Sequence, residues 1–192
     1  MTSLEEAILK FAHEVGRAKT LARTGWKEKA GIESPESIAE HMYRTAVISM
    51  VLSDVEGLDT EKVLRMALLD DLAETLVGDL TPSQKKSYGP GGARRFEEKA
   101  LRQLLSTLPE ALSAKYVATW KEAQSLGSQE ARLVKSSDKL EMAIQAQEYT
   151  LQGYDPEKLE EFIKSAGARL TAPRVKRIYE TMKRQPKVIS RR

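Results

Sequence analysis

One stretch limits what this chain can fold into: Met66-Ala-Leu-Leu-Asp-Asp-Leu-Ala-Glu-Thr-Leu-Val-Gly-Asp79. Ala67, Leu68, Leu69, Leu72, Ala73, Leu76 and Val77 describe a helix bound for a core, yet Asp70, Asp71 and Glu74 sit among them and Asp79 follows Gly78. An unpaired carboxylate in such surroundings costs on the order of several kcal/mol. Asp70 and Glu74 are four residues apart and Asp71 and Glu74 three, so on a helix they lie on neighbouring turns of one side. Such acids need partners. A shared cation is the simplest; the plainer arrangement turns one acid to solvent and pairs another with an arginine such as Arg65.

The rest of the chain reads as helix. Good helix formers dominate, while Pro and Gly cluster between periodic segments. Its 192 residues show no composition break, and with only two Trp and three Phe the core falls to Leu, Ala, Val, Ile and Met. The expectation is a single all-α domain over residues 1–192, with its core in residues 9–149 and C-terminal helices and a basic tail in 155–192. Apolar periodicity and cap residues predict helices over residues 3–19, 34–55, 58–78, 93–107, 110–125, 128–149, 155–164 and 173–183. Ser34 and Pro35 are expected to open the second helix. Residues 85–92 read as loop, and their Gly89-Pro-Gly-Gly92 run lacks the Lys-Ser or Lys-Thr of a phosphate cradle.

Several residues outside the acidic helix bear on chemistry. Segment 20–37 is longer than a plain helix connection needs and carries Arg23 and Trp26. Arg23 offers a fork of donors for phosphate and Trp26 an aromatic face for a base or sugar. The two residues fit equally well as an ion-pair partner and a core plug. His41 is one of two histidines, and neutral imidazole is the commonest protein metal ligand. His13 has only Glu14 beside it and reads as a surface or packed residue. Asp138 interrupts the apolar pattern of segment 128–149 as the acids interrupt segment 58–78, and Asp79 either caps the next turn or faces the pocket of Glu74. One His, an acid pair and a distant Asp suit Mn²⁺, Co²⁺, Fe²⁺, Mg²⁺ or Zn²⁺, although spacing alone is not specific.

Composition removes other classes. The net charge is +3, so general nucleic-acid binding finds no support, and Arg174-Val-Lys-Arg177 with Lys183-Arg184 read as a solvated helix and tail. The absence of cysteine excludes disulfides, cysteine nucleophiles and thiolate ligands. No apolar run reaches the ~20 residues of a membrane span and the N-terminus lacks a signal-peptide pattern, so a cytoplasmic protein is expected.

Together the residues resemble the HD-domain metal-dependent phosphohydrolases, and within them the 5′-deoxynucleotidase branch. The matching pieces are Arg23-Thr-Gly-Trp26, Pro35-Glu-Ser-Ile-Ala-Glu-His41 with Tyr43-Arg44, Met66 to Glu74, Val77-Gly-Asp-Leu-Thr-Pro82, and Val134-Lys-Ser-Ser-Asp-Lys-Leu-Glu-Met142 with Gln145-Ala146. The resemblance implies an HD fold, one divalent metal ion held by His41, Asp70, Asp71 and Asp138, and catalytic roles for Glu74 and Asp79. It also implies phosphate contact by Arg23, a nucleoside pocket shaped by Trp26, a (deoxy)ribonucleoside 5′-monophosphate as substrate, and a homodimer. At position 70 the family has the His of its His-Asp doublet. Asp is shorter and adds a negative charge, so a four-donor site here is expected to favour Mn²⁺ or Mg²⁺ over Zn²⁺ or Co²⁺. The alternative is an HD protein that binds nucleotide without turnover. An HD activity on cyclic nucleotides or guanosine polyphosphates is disfavoured by the pieces at residues 23–26 and 77–82.

Overall fold

The computed structural model describes residues 3–185. The residues after 185, most of the expected basic tail, and Thr2 lie outside the described residues. Within them the chain is helical, with one isolated antiparallel bridge between Ala22 and Ser37. The α-helices are α1 (Leu4–Gly16), α2 (Ile38–Glu56), α3 (Thr60–Asp70), α4 (Glu74–Val77), α5 (Pro82–Ser87), α6 (Gly92–Leu105), α7 (Glu110–Ser125), α8 (Gln129–Leu151), α9 (Pro156–Gly167) and α10 (Pro173–Arg184), with a 3₁₀ turn at Arg17–Lys19 and a π-helical turn at Trp26–Ala30 between α1 and α2. None among the described residues is long and apolar enough to cross a membrane.

Two apolar clusters hold the domain. One joins Trp26 and Ile32 to Val63, Met66 and Ala67 of α3, Leu133, Leu140 and Ala143 of α8, and residues of α9 and α10. The other joins Ile38 and Met42 of α2, Leu69 of α3 and Leu72 to Leu101 and Leu105 of α6 and Trp120 of α7. Each fully buried Leu or Ile contributes roughly 1.5–3 kcal/mol, which sets the scale on which buried charge must be offset. Helices α2 and α3 contribute to both clusters, so His41 on α2 and the turn that follows α3 are anchored from both sides.

Three local departures from the expected elements shape the site. Helix α2 opens at Ser37, not Ser34, through a capping box with Glu40. The residues before it are drawn out of the helix because the Arg23 N–H donates to the Glu36 carbonyl at 2.9 Å and the Ile38 N–H to that of Leu21 at 2.8 Å. The acidic segment, expected as one continuous helix, breaks after Asp70. Trp120 Nε1 donates to the Asp70 carbonyl at 3.2 Å, and the Glu74 N–H, which a continuous helix would send there, donates instead to the Asp71 carbonyl at 3.0 Å. Finally, residues expected as loop after Lys85 are partly helical: Thr81 and Gln84 form a capping box that starts α5.

Candidate active site

The break after Asp70 decides where each acid goes. Asp71 Oδ2 lies 3.4 Å from His41 Nε2 and Asp138 Oδ1 lies 3.2 Å from the same nitrogen, so α2, the turn after α3 and α8 converge on one ring edge. On the other edge, His41 Nδ1 meets Glu141 Oε2 at 2.5 Å. The imidazole is 1% exposed. Burial and Arg23 disfavour its charge, but its hydrogen bonds to Asp138, Asp71 and Glu141 outweigh them and raise its pKa well above the usual value. Asp71 is held below the ordinary carboxylate range: burial opposes its charge, but the His41 hydrogen bond prevails. Asp138 is likewise held well below its usual value, Lys139 and His41 overcoming burial.

This donor set fits a divalent cation. A nitrogen and two oxygens each ~2.1 Å from one ion stand about 3.0–3.4 Å apart at ordinary coordination angles, which is the spacing found around Nε2. With Nδ1–H given to Glu141, the lone pair on Nε2 faces two carboxylates, and only a proton or a cation between them removes the conflict. Among the described residues, the group whose ligand atoms all lie within 4.8 Å of one another is Glu36, His41 and Glu141. There, however, Glu141 Oε1 is taken by Arg44 Nη2 at 2.6 Å and Nε at 2.9 Å, and Glu36 Oε1 accepts from Trp26 Nε1 at 2.9 Å. That side of the ring is a hydrogen-bonded support.

Asp70 stands apart from this cluster. Its Oδ1 accepts from Lys135 Nζ at 2.5 Å and from Gln124 Nε2 at 2.7 Å. Burial and the negative charge of Asp71 and Asp138 push its pKa up despite Lys135.

A cavity of about 310 Å³ opens beside the cluster, lined by Arg23, Trp26, Asp71, Glu74, Asp79 and Asp138, with Lys85, Lys135 and Lys139 supplying positive charge. Its volume is near the lower end of the ~300–1,000 Å³ typical of small-ligand sites. Glu74 is 6% exposed; burial, then Asp71 and Asp79, raise its pKa well above the ordinary range, with Lys85 at 3.9 Å opposing them. Asp79 does not cap α5. Its Oδ2 accepts the Thr24 N–H at 2.7 Å and faces Arg23 Nε at 3.8 Å, tying the Arg23 loop to the acidic segment. Arg23 Nη1 is buried without a hydrogen-bond partner. Trp26 is 1% exposed and stacks on Phe162 at 4.2 Å, so it forms a packed wall of the cavity.

Of the residues that the sequence assigns to a site, the structure brings His41, Asp71, Glu74, Asp79, Asp138, Arg23 and Trp26 together and turns the Asp70 side chain to Lys135 and Gln124; Glu141, Arg44, Glu36, Lys85 and Lys135 join them without a role assigned from sequence. A signal for two of these was present. Arg44 follows His41 by three residues and Glu141 follows Asp138 by three, so each pair shares a helix face.

A helical domain that gathers a His and two Asp from separate elements beside a charged cavity has the organisation of an HD domain. The chain belongs to that family, whose model matches residues 15–178. It is 36% identical over 168 residues to the mouse protein named 5′-deoxynucleotidase HDDC2, covering 88% of this chain and 82% of that one. With the protein of the same name from Dictyostelium discoideum it shares 37% identity over 175 residues, 86% of this chain and 90% of the relative. The structure of a conserved hypothetical protein from Pyrococcus furiosus superposes with a TM-score of 0.76 at 32% identity, covering 92% of this chain and 99% of that one.

Proposed function

We propose that this protein is a metal-dependent 5′-nucleotidase of the cytoplasm that removes the phosphate from deoxyribonucleoside 5′-monophosphates. The observation that carries the reading is the buried, unpartnered Arg23 Nη1 in a cavity that also holds Asp71, Glu74 and Asp138. A buried guanidinium nitrogen left unpaired is costly, and a phosphate oxygen satisfies it. The names of the curated relatives support the same substrate class.

His41, Asp71 and Asp138 would hold the divalent ion, which when bound supplies Lewis acidity and a lowered pKa for water. Arg23 binds the phosphoryl oxygens, and Asp79 fixes its loop through the Thr24 amide. Glu74, whose surroundings favour its neutral form, holds a proton for the leaving 5′-oxygen. Trp26 and Phe162 exclude water from the nucleoside side. Phosphate release from a panel of deoxyribo- and ribonucleoside 5′-monophosphates, with and without Mn²⁺, Co²⁺ or Mg²⁺, tests this; no turnover of any of them with any metal rejects it.

A homodimer accompanies this reading. Tyr43, Val47, Met50, Val51 and Val55 form an exposed apolar stripe along α2, at the helical spacing of one face. Sedimentation of the native chain beside Val51→Glu tests it; a monomeric native chain rejects it.

A further inference from the structure

The position where the family has a metal-ligating His is occupied here by Asp70, and the structure gives that carboxylate other work. Asp71 and Asp138 each come within 4.0 Å of His41 Nε2; Asp70 is absent from that group. Asp71, Asp138 and Lys135 line the cavity, and Asp70 does not. Both hydrogen bonds to the Asp70 side chain land on Oδ1, one from Lys135 on α8 and one from Gln124 on α7. Four residues before Gln124, Trp120 holds the Asp70 backbone carbonyl. One face of α7 therefore fixes both the main chain and the side chain of residue 70.

Charge counting agrees with this geometry. An imidazole ligand is neutral, whereas a third carboxylate donor would add a negative charge to a cluster already holding Asp71 and Asp138. Asp70 and Lys135 together are neutral, so the pair leaves the cluster with the charge it would have beside an imidazole. The Lys139 ammonium is placed similarly, 2.8 Å from Asp138 Oδ2, and leaves Oδ1 turned to His41.

We infer that Asp70 is not a metal ligand but the anchor of Lys135, and that this chain holds its metal through His41, Asp71 and Asp138 alone, with the Lys135 ammonium fixed in the cavity wall. The inference rests on the metal-dependent reading above. It implies a more weakly held ion than a four-ligand site gives, and no hardening of the site by a third carboxylate.

Isothermal titration of the apo protein with Mn²⁺ tests it independently of turnover, for the native chain, Asp70→Asn, Asp70→Asn/Lys135→Met, Asp71→Asn and Asp70→His, each checked for native melting by circular dichroism. Removing both partners of the pair should leave the Mn²⁺ affinity within about threefold of native. Asp71→Asn should lose at least the ~10–100-fold that changes around a metal site typically cost. Asp70→Asn alone should weaken binding more than the double variant, because it leaves an uncompensated ammonium beside the ion, and Lys135→Met should rescue it. Asp70→His should tighten binding. A double variant that loses as much affinity as Asp71→Asn overturns the inference, as does a native chain that binds no Mn²⁺. Loss of nucleotide turnover with these affinities in the expected order would instead count against the proposed reaction.

Discussion

Glu141, buried on α8, holds His41 Nδ1 at 2.5 Å with one oxygen while Arg44 takes the other at 2.6 Å, so a residue three positions beyond His41 on α2 fixes the group that orients His41. Arg44 continues to Glu148 at 2.8 Å, joining α2 to α8 along that face. With Nδ1–H given to this carboxylate, Nε2 would be left to the cation of the proposed metal site. Glu141→Gln should therefore weaken Mn²⁺ binding by about 10–100-fold, read by titration calorimetry. Unchanged affinity would mean that the Glu141 carboxylate does not tune His41.

Burial, then Asp71 and Asp79, push the Glu74 pKa up, and Arg23 and Lys85 work against them. If its proton goes to the leaving oxygen, activity is present while Glu74 is protonated and falls as pH rises through its raised pKa. Glu74→Ala should lower kcat by roughly 10²–10⁴-fold without changing metal content. Lys85→Met removes the cation that favours the charged form and should move the alkaline limb of the kcat profile to higher pH. A limb that stays put, or moves down, contradicts the assignment.

Arg23 has a different signature. Its Nη1 lacks a partner in the folded protein, so its contribution is expected with substrate bound. Arg23→Met should reduce kcat/KM about 10–100-fold, in keeping with the roughly 1.5–3 kcal/mol of a hydrogen bond to a charged group. Arg23→Lys should restore little, because an ammonium does not reproduce the planar fork. Steady-state kinetics on one deoxynucleoside monophosphate decides this, and full activity in Arg23→Lys would remove the bidentate role.

Glu36 gives a prediction about stability. Burial, then the neighbouring Glu141, push its pKa up to about 7 from the ordinary 4.5, against Arg23, His41 and the Trp26 N–H. The folded protein thus holds this proton more tightly than the unfolded chain does. Stability should fall as pH rises from 4.5 to 7, by roughly 3 kcal/mol from this group. Glu36→Gln keeps the acceptor for Trp26 and should remove that portion of the pH dependence in urea melts at pH 5 and pH 7.5. Parallel curves for the two proteins would show that Glu36 does not carry it.

Much of this arrangement was legible in the sequence, for physical reasons that differ by element. Helix α8 could be placed because its apolar residues keep a helical period around Asp138, and the chemistry of α2 because His41 stands in an apolar pattern. The boundary of α2 was misplaced because the bridge between Ala22 and Ser37 is formed by a segment some fifteen residues earlier, which local capping rules do not see. The break after Asp70 depends on the Trp120 indole, fifty residues away. It carries the chemistry, since it turns Asp71 toward His41 while α7 and Lys135 hold Asp70. Lys135 lies within the Val134–Met142 segment, but nothing local to it indicates that its partner is Asp70.

The central claim is that a metal bound by His41, Asp71 and Asp138 is needed to hydrolyse a deoxyribonucleoside 5′-monophosphate in this cavity. Its most direct test is phosphate release from such a substrate by the chelated protein, then after addition of Mn²⁺, with Asp71→Asn run alongside. The account predicts no release from the chelated protein, recovery with Mn²⁺, and at most a small fraction of that recovery in Asp71→Asn. Release that persists after chelation, or full recovery in Asp71→Asn, would contradict it.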